Sequence, residues 1–196
     1  EILEADRTAV TLGDDAMSAA IDLPFTFSFY GADQTQIFIG SNGFVSFQSN
    51  DLSGGFAGQC PLPEDDTTTD TPDNAIYGFY QDLDPTEATS GPIYYGTLGT
   101  APDRMFVVTY DGVEVFQGTD GPGTDPVTFQ IVLYETSNDI QINIDDPGTL
   151  AGMPRWTDNT TIGIENADSS SGLGLCDWDA TNLIQDDYAV RFVISD

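Results

Sequence analysis

The chain has 196 residues and a formal net charge of −29, from 33 acidic side chains set against four basic ones. All four basic residues are arginines, and the sequence holds neither lysine nor histidine. This balance excludes nucleic acid and anionic membrane as partners, and it removes His-based triads, Schiff-base lysines, phosphate-binding lysines and His-ligated metals.

Short apolar runs alternate with 20 glycines and 11 prolines, and 39% of the residues are hydrophobic, which suits one all-β domain. No run approaches the roughly 20 apolar residues of a membrane helix, so no membrane insertion is expected. Glu1 in place of an initiator Met is expected of a chain whose leader peptide has been removed.

Residues 1–20 read as an N-terminal leader and residues 21–196 as a β-sandwich domain. The leader carries one short alternating run, Thr8–Leu12, followed by Gly13-Asp14-Asp15. It is expected either to edge the sandwich or to be donated as a strand to a neighbouring subunit. Phe25, Phe27 and Phe29 then alternate with Thr26 and Ser28, which places the three aromatics on one core-facing side. Gln36–Gly40 and Phe44–Phe47 flank Ser41-Asn42-Gly43, a hairpin signal because Asn and Gly tolerate positive φ, and Asn42 is read as structural. Residues 48–73 form a long acidic loop around Cys60.

Asn74–Pro85 is the most apolar strand candidate and ends in Asp82, Asp84 and a proline. Strict alternation would put Tyr77, Phe79 and Leu83 on one face and Ile76, Tyr80, Asp82 and Asp84 on the other. Apolar on both faces until Asp82, it is expected inside a sheet with a polar exit. Further β-branched and aromatic runs follow at 92–96, 104–110, 113–116, 127–134, 139–144, 160–164 and 188–194. The reading is an antiparallel, jelly-roll-like β-sandwich of about ten strands with no helix, since the 3.6-residue period is absent.

Of the acids, 26 are Asp, and short carboxylates in loops suit Ca²⁺. Asp82 and Asp84 are i, i+2 on one strand, about 7 Å apart by strand rise and pointing the same way. With Glu87 in the following turn they form the expected metal set; Asp145/Asp146 and Asp177/Asp179 are rival pairs. Carboxylate-pair hydrolysis is the one enzyme chemistry the composition permits, but it needs opposed acids across a cleft, and no catalytic residue is assigned. Cys60 and Cys176 read as a disulfide, the alternative being two separate thiols. Trp156 and Trp178 lie in loops, where they could stack on sugar rings or cap the sandwich. Asn159-Thr160-Thr161 is an N-glycosylation sequon.

In order along the chain, Leu23–Gly31, Ser41–Phe47, Asn74–Pro85, Thr128–Glu135 and Ile162–Ala167 resemble a family of secreted microbial β-sandwich modules, nidogen-like in pattern. Members are appended to subtilisin-like proteases and surface proteins. Where the family has Trp followed by an acid, this chain has Tyr80 and Gln81, which removes one carboxylate from the possible cluster. The resemblance implies pairing of Cys60 with Cys176 and a non-catalytic extracellular role. The expected function is therefore a secreted or cell-surface structural or adhesion module. Its partners would be copies of itself, joined by N-terminal strand exchange, or other surface proteins; the alternative is a glycan-binding accessory module.

Overall fold

A computed structural model of the chain describes residues 3, 6–49, 60–63, 72–116, 126–148, 160–177, 184 and 186–194. Its strands in chain order are β1 (Thr8–Val10), β2 (Ile21–Phe29), β3 (Ala32–Ile39), β4 (Phe44–Ser46), β5 (Ala75–Tyr80) and β6 (Ile93–Leu98). They continue as β7 (Met105–Val113), β8 (Val127–Tyr134), β9 (Ile140–Asp146), β10 (Thr160–Glu165), β11 (Gly172–Asp177) and β12 (Tyr188–Phe192). One six-stranded sheet has the order β1-β6-β7-β8-β9-β12 and the other the order β11-β10-β5-β4-β3-β2. Every pairing is antiparallel. The two sheets face each other across one apolar core, so the protein is an all-β sandwich.

The twelve strands differ from the expected set in two places. Residues 113–116 are not a separate strand: β7 runs through Val113, and Val115 makes only a single bridge to Leu83. Gly172–Asp177, read as loop, is β11, held along its length by β10.

Phe25, Phe27 and Phe29 are buried, as alternation along β2 requires, and Phe27 and Phe29 pack on Phe47. From the other sheet, Tyr110 on β7 reaches across the core to the β3–β4 turn. Its hydroxyl donates to the Gly40 carbonyl at 2.6 Å and lies 2.9 Å from that of Phe44. In that turn only Gly43 has positive φ, at 81°. Asn42 does not share it; its fully buried side chain bonds within the fold instead.

β5 lies between β4 and β10 and is buried at all six positions. Its faces, however, do not follow strict alternation. The amides of Gly78 and Phe79 both donate to the Gly43 carbonyl at 3.0 Å, and the register with β10 shifts between Tyr77 and Tyr80. This β-bulge adds one residue and reverses the side-chain phase beyond it. Ile76, Phe79 and Leu83 therefore share the inter-sheet core, while Tyr77 and Tyr80 join Phe44, Ala75 and Leu62 in a second cluster.

Leu62 also lies against Gly163, Gly172 and Gly174. Any side chain at those glycines would occupy its space. Next to it, Cys60 and Cys176 are joined in a disulfide, with Cα atoms 6.0 Å apart, so residues 60–63 are pinned to β11.

The leader is woven into both sheets of its own chain. β1 pairs with β6, and the Leu3 amide and carbonyl bond the side chain of Gln130 on β8. Met17 bridges Gly40, the Ser18 amide donates to Ile39, and the Ser41 amide donates to Ala16.

Candidate functional site

At the exit of β5 the chain leaves the sheet through Gln81-Asp82-Leu83-Asp84, and backbone bonds fix that exit. The Phe116 amide donates to the Asp82 carbonyl at 2.8 Å and the Asp84 amide to the Glu114 carbonyl at 2.9 Å. The side chains of both Asp82 and Asp84 are buried at this rim. Asp84 is satisfied locally, since its Oδ1 accepts from the Thr86 amide at 2.8 Å and from the Thr86 hydroxyl at 2.6 Å.

Asp82 meets the leader instead. Carboxylate oxygens of Asp14, Asp15 and Asp82 all lie within 4.8 Å of one another. Asn42 ties the two segments: its Nδ2 donates to Asp15 Oδ1 at 2.9 Å and its Oδ1 accepts from the Leu83 amide at 3.3 Å. Asp15 is in the left-handed region, φ 50°, a conformation that Asp tolerates better than most residues.

Three carboxylates at such distances cannot all carry charge at ordinary cost. Burial, followed by the charges of Asp15, Asp14 and Asp84, pushes Asp82 up to about 7. Burial also pushes Asp14 up to about 6, with Asp84, Asp15 and Glu87 adding to the rise and the Asp15 amide opposing it. No arginine offsets them among the described residues: Arg7, Arg104 and Arg191 pair with Asp111, Glu135 and Asp139. Oxygens converging on one point can share a proton or a hard cation. The opposed acids of a glycoside hydrolase stand roughly 5–10 Å apart across a cleft.

Of the expected metal set, Asp82 stands in this cluster, whereas Asp84 and Glu87 act on it through charge. Asp14 and Asp15 were absent from that set because they lie almost seventy residues upstream in sequence. Their one signal was an adjacent Asp pair after Gly13, indistinguishable from an ordinary acidic turn. Asp145 and Asp146 are exposed on β9, and Asp146 Oδ1 accepts from the Gly148 amide. Trp156, Trp178, Asn159 and Asp179 lie outside the described residues.

The structure is thus an all-β sandwich in which three carboxylates, those of Asp14, Asp15 and Asp82, meet at one rim. Residues 2–186 match the NIDO-related family, and the chain belongs to it. Nidogen-2 of Mus musculus is 30% identical over 152 residues, which cover 65% of this chain and 10% of the mouse protein. The chain thus aligns with about a tenth of that relative's length. No solved structure matches.

Proposed function

We propose that the chain is a non-catalytic extracellular module with a structural or adhesive task, holding an extended segment of another surface protein at the open edge between β11 and β12. Membership of the NIDO-related family and a disulfide support the extracellular, modular part of this reading.

The observation that carries the adhesive part is a concentration of exposed apolar side chains. Six large hydrophobics are exposed among the described residues, and Tyr30, Val193 and Ile194 line one groove of about 170 Å³. Ile164 forms part of its wall, and the register partner of Ile164 on β11 is Leu173, which is 61% exposed. Leu175, two residues on, shares that face of β11 and is also exposed. β11 pairs with β10 on one side and with no strand on the other among the described residues, so its backbone can accept an added strand.

The net charge of −29 selects the occupant. A second copy would be repelled, whereas an apolar segment with basic flanks would be attracted. Self-assembly by exchange of residues 2–12 is the weaker version, because it would first break the leader's pairing with β6 and its bonds to Gln130.

The test coats beads with the oxidised module and measures their retention on the surface of the producing cells at 0.15 and 0.5 M salt, where the Debye length is about 8 Å and about 4 Å. Retention that falls at least tenfold in Leu173→Asp/Val193→Asp, and falls with salt, supports the reading. Equal retention by wild type and variant overturns it.

A further inference from the structure

We infer that Tyr30 is the aromatic anchor of the docking groove, the side chain onto which an extended apolar segment with basic flanks closes. Tyr30 is thus the central residue of the docking surface proposed above, and its role rests on that reading.

Tyr30 stands in the two-residue turn between β2 and β3, where Phe29 pairs with Ala32. Both turn residues have positive φ, 46° at Tyr30 and 79° at Gly31, the pattern of a type I′ hairpin turn. Such turns favour Asn, Asp or Gly, because a larger side chain crowds the backbone there. The other non-glycine residues with positive φ among those described are Asp15, Asn74, Asn138, Ser169 and Asp187, all small and polar. Tyr30 alone among them is aromatic, and a bulky residue in this region is a genuine outlier.

Strain of this kind persists where the surroundings hold it, and it gathers at functional sites. Burial does not account for it here, since Tyr30 is 42% exposed. Its ring meets Phe29 edge-on at 4.9 Å. Its hydroxyl bonds Ser171 and reaches the Ile164 carbonyl only at 3.5 Å, the far limit of a hydrogen bond.

The fold places the ring. β4 pairs only with Phe38 and Ile39 of β3, so the β2–β3 tip projects beyond it. That tip is tied to the opposite sheet by the Ser28 amide, which donates to Asn138 Oδ1 at 2.8 Å. Tyr30 therefore lines the groove with Ile164 of one sheet and Phe192 and Val193 at the edge of the other. A stiff aromatic side chain, apolar in body and polar at its tip, beside exposed aliphatics is the make-up of an interface hot spot.

The charge around the ring selects the occupant. Asp33, the register partner of Ser28 in the hairpin, and Asp168, in the β10–β11 turn, are both exposed. Hydrogen bonds from Ser170 hold the Asp168 carboxyl below its usual range. Arg191, next to Phe192, is engaged by Asp139. Lysine or arginine on either side of an apolar centre is the complement of this rim.

The experiment repeats the bead-retention assay with Tyr30→Asn and measures the urea midpoint of the same oxidised protein. Asn suits the left-handed turn position, so the midpoint should lie at or above that of wild type while retention falls at least tenfold. Tyr30→Phe keeps the ring and should be retained as wild type is; loss of its retention would count against the ring as anchor. A Tyr30→Asn midpoint below wild type together with lost retention would mark the ring as a packing element and overturn the inference. Wild-type retention of Tyr30→Asn would overturn it too, and the docking reading would survive if Leu173→Asp/Val193→Asp still lost retention. Equal retention of all variants would sink both. Clumping of wild-type beads with one another that disappears in Tyr30→Asn would give the groove to a second copy and overturn the basic-flanked occupant.

Discussion

Gly78→Ala tests whether the bulge in β5 sets the spacing of the two sheets. A Cβ at this position would stand 2.6 Å from Ile131 Cγ1, 2.8 Å from Ile131 Cδ1 and 2.8 Å from Phe129 Cε2. Carbons rest at about 3.5–4.0 Å, so both neighbours would have to retreat by about 1 Å. Neither has room: both are fully buried, and the Phe129 ring is stacked between Tyr110 at 4.4 Å and Phe79 at 5.7 Å. Overpacking of this kind costs about 1–3 kcal/mol, and the rigid ring argues for the upper half of that range.

Ile131→Val removes Cδ1, one of the clashing atoms, and by itself costs about 0.5–1.5 kcal/mol. If the clash is the cause, the double variant is less destabilised than the sum of the singles by about 1 kcal/mol. Urea denaturation with the disulfide intact reads all four corners of the cycle, and thermal midpoints should fall by about 2–4 °C per kcal/mol for a domain of this size. Singles that add to within about 0.5 kcal/mol, or a Gly78→Ala midpoint equal to wild type, would refute the packing argument.

Two further outcomes are expected. Cys60→Ser opens a crosslink spanning 116 residues, for which the chain-entropy relation gives about 5 kcal/mol, an upper figure because real unfolded chains retain structure; a urea midpoint unchanged from the oxidised wild type would show that β11 and residues 60–63 hold without it. Glu135 is hydrogen-bonded by the Arg104 side chain and amide, which hold its carboxyl below the usual range. Its folded value being depressed, its stabilising share is complete above the unfolded carboxyl range and is lost as pH falls through the folded value. Glu135→Gln should therefore flatten part of the acid limb of stability measured from pH 7 to pH 3, and an acid limb identical to wild type would count against the pair.

The strands of this protein were legible because most of its apolar residues follow a period of two. Phe25, Phe27 and Phe29 could face only one way once Thr26 and Ser28 faced the other, and the unbroken apolar run of Ala75–Tyr80 required burial on both sides. The acidic exit was legible for a similar reason, since Asp82 and Asp84 interrupt that run at its end. Composition alone excluded His- and Lys-dependent chemistry.

Tertiary structure decided the rest. The phase of β5 depends on a bulge whose cause, two amides sharing the Gly43 carbonyl, involves a neighbouring strand and leaves no periodic trace. Gly172–Asp177 has too much glycine to announce itself as a strand; it becomes one because β10 pairs with it, the disulfide holds it, and its bare glycines make room for Leu62. Asp14 and Asp15 lie far from Asp82 along the chain and meet it because the leader passes from one sheet to the other beside the β3–β4 turn, where Asn42 bonds both sides. Local sequence sets which way a side chain points within a strand, but which distant carboxylates share a site follows from how the sheets are stacked and crossed.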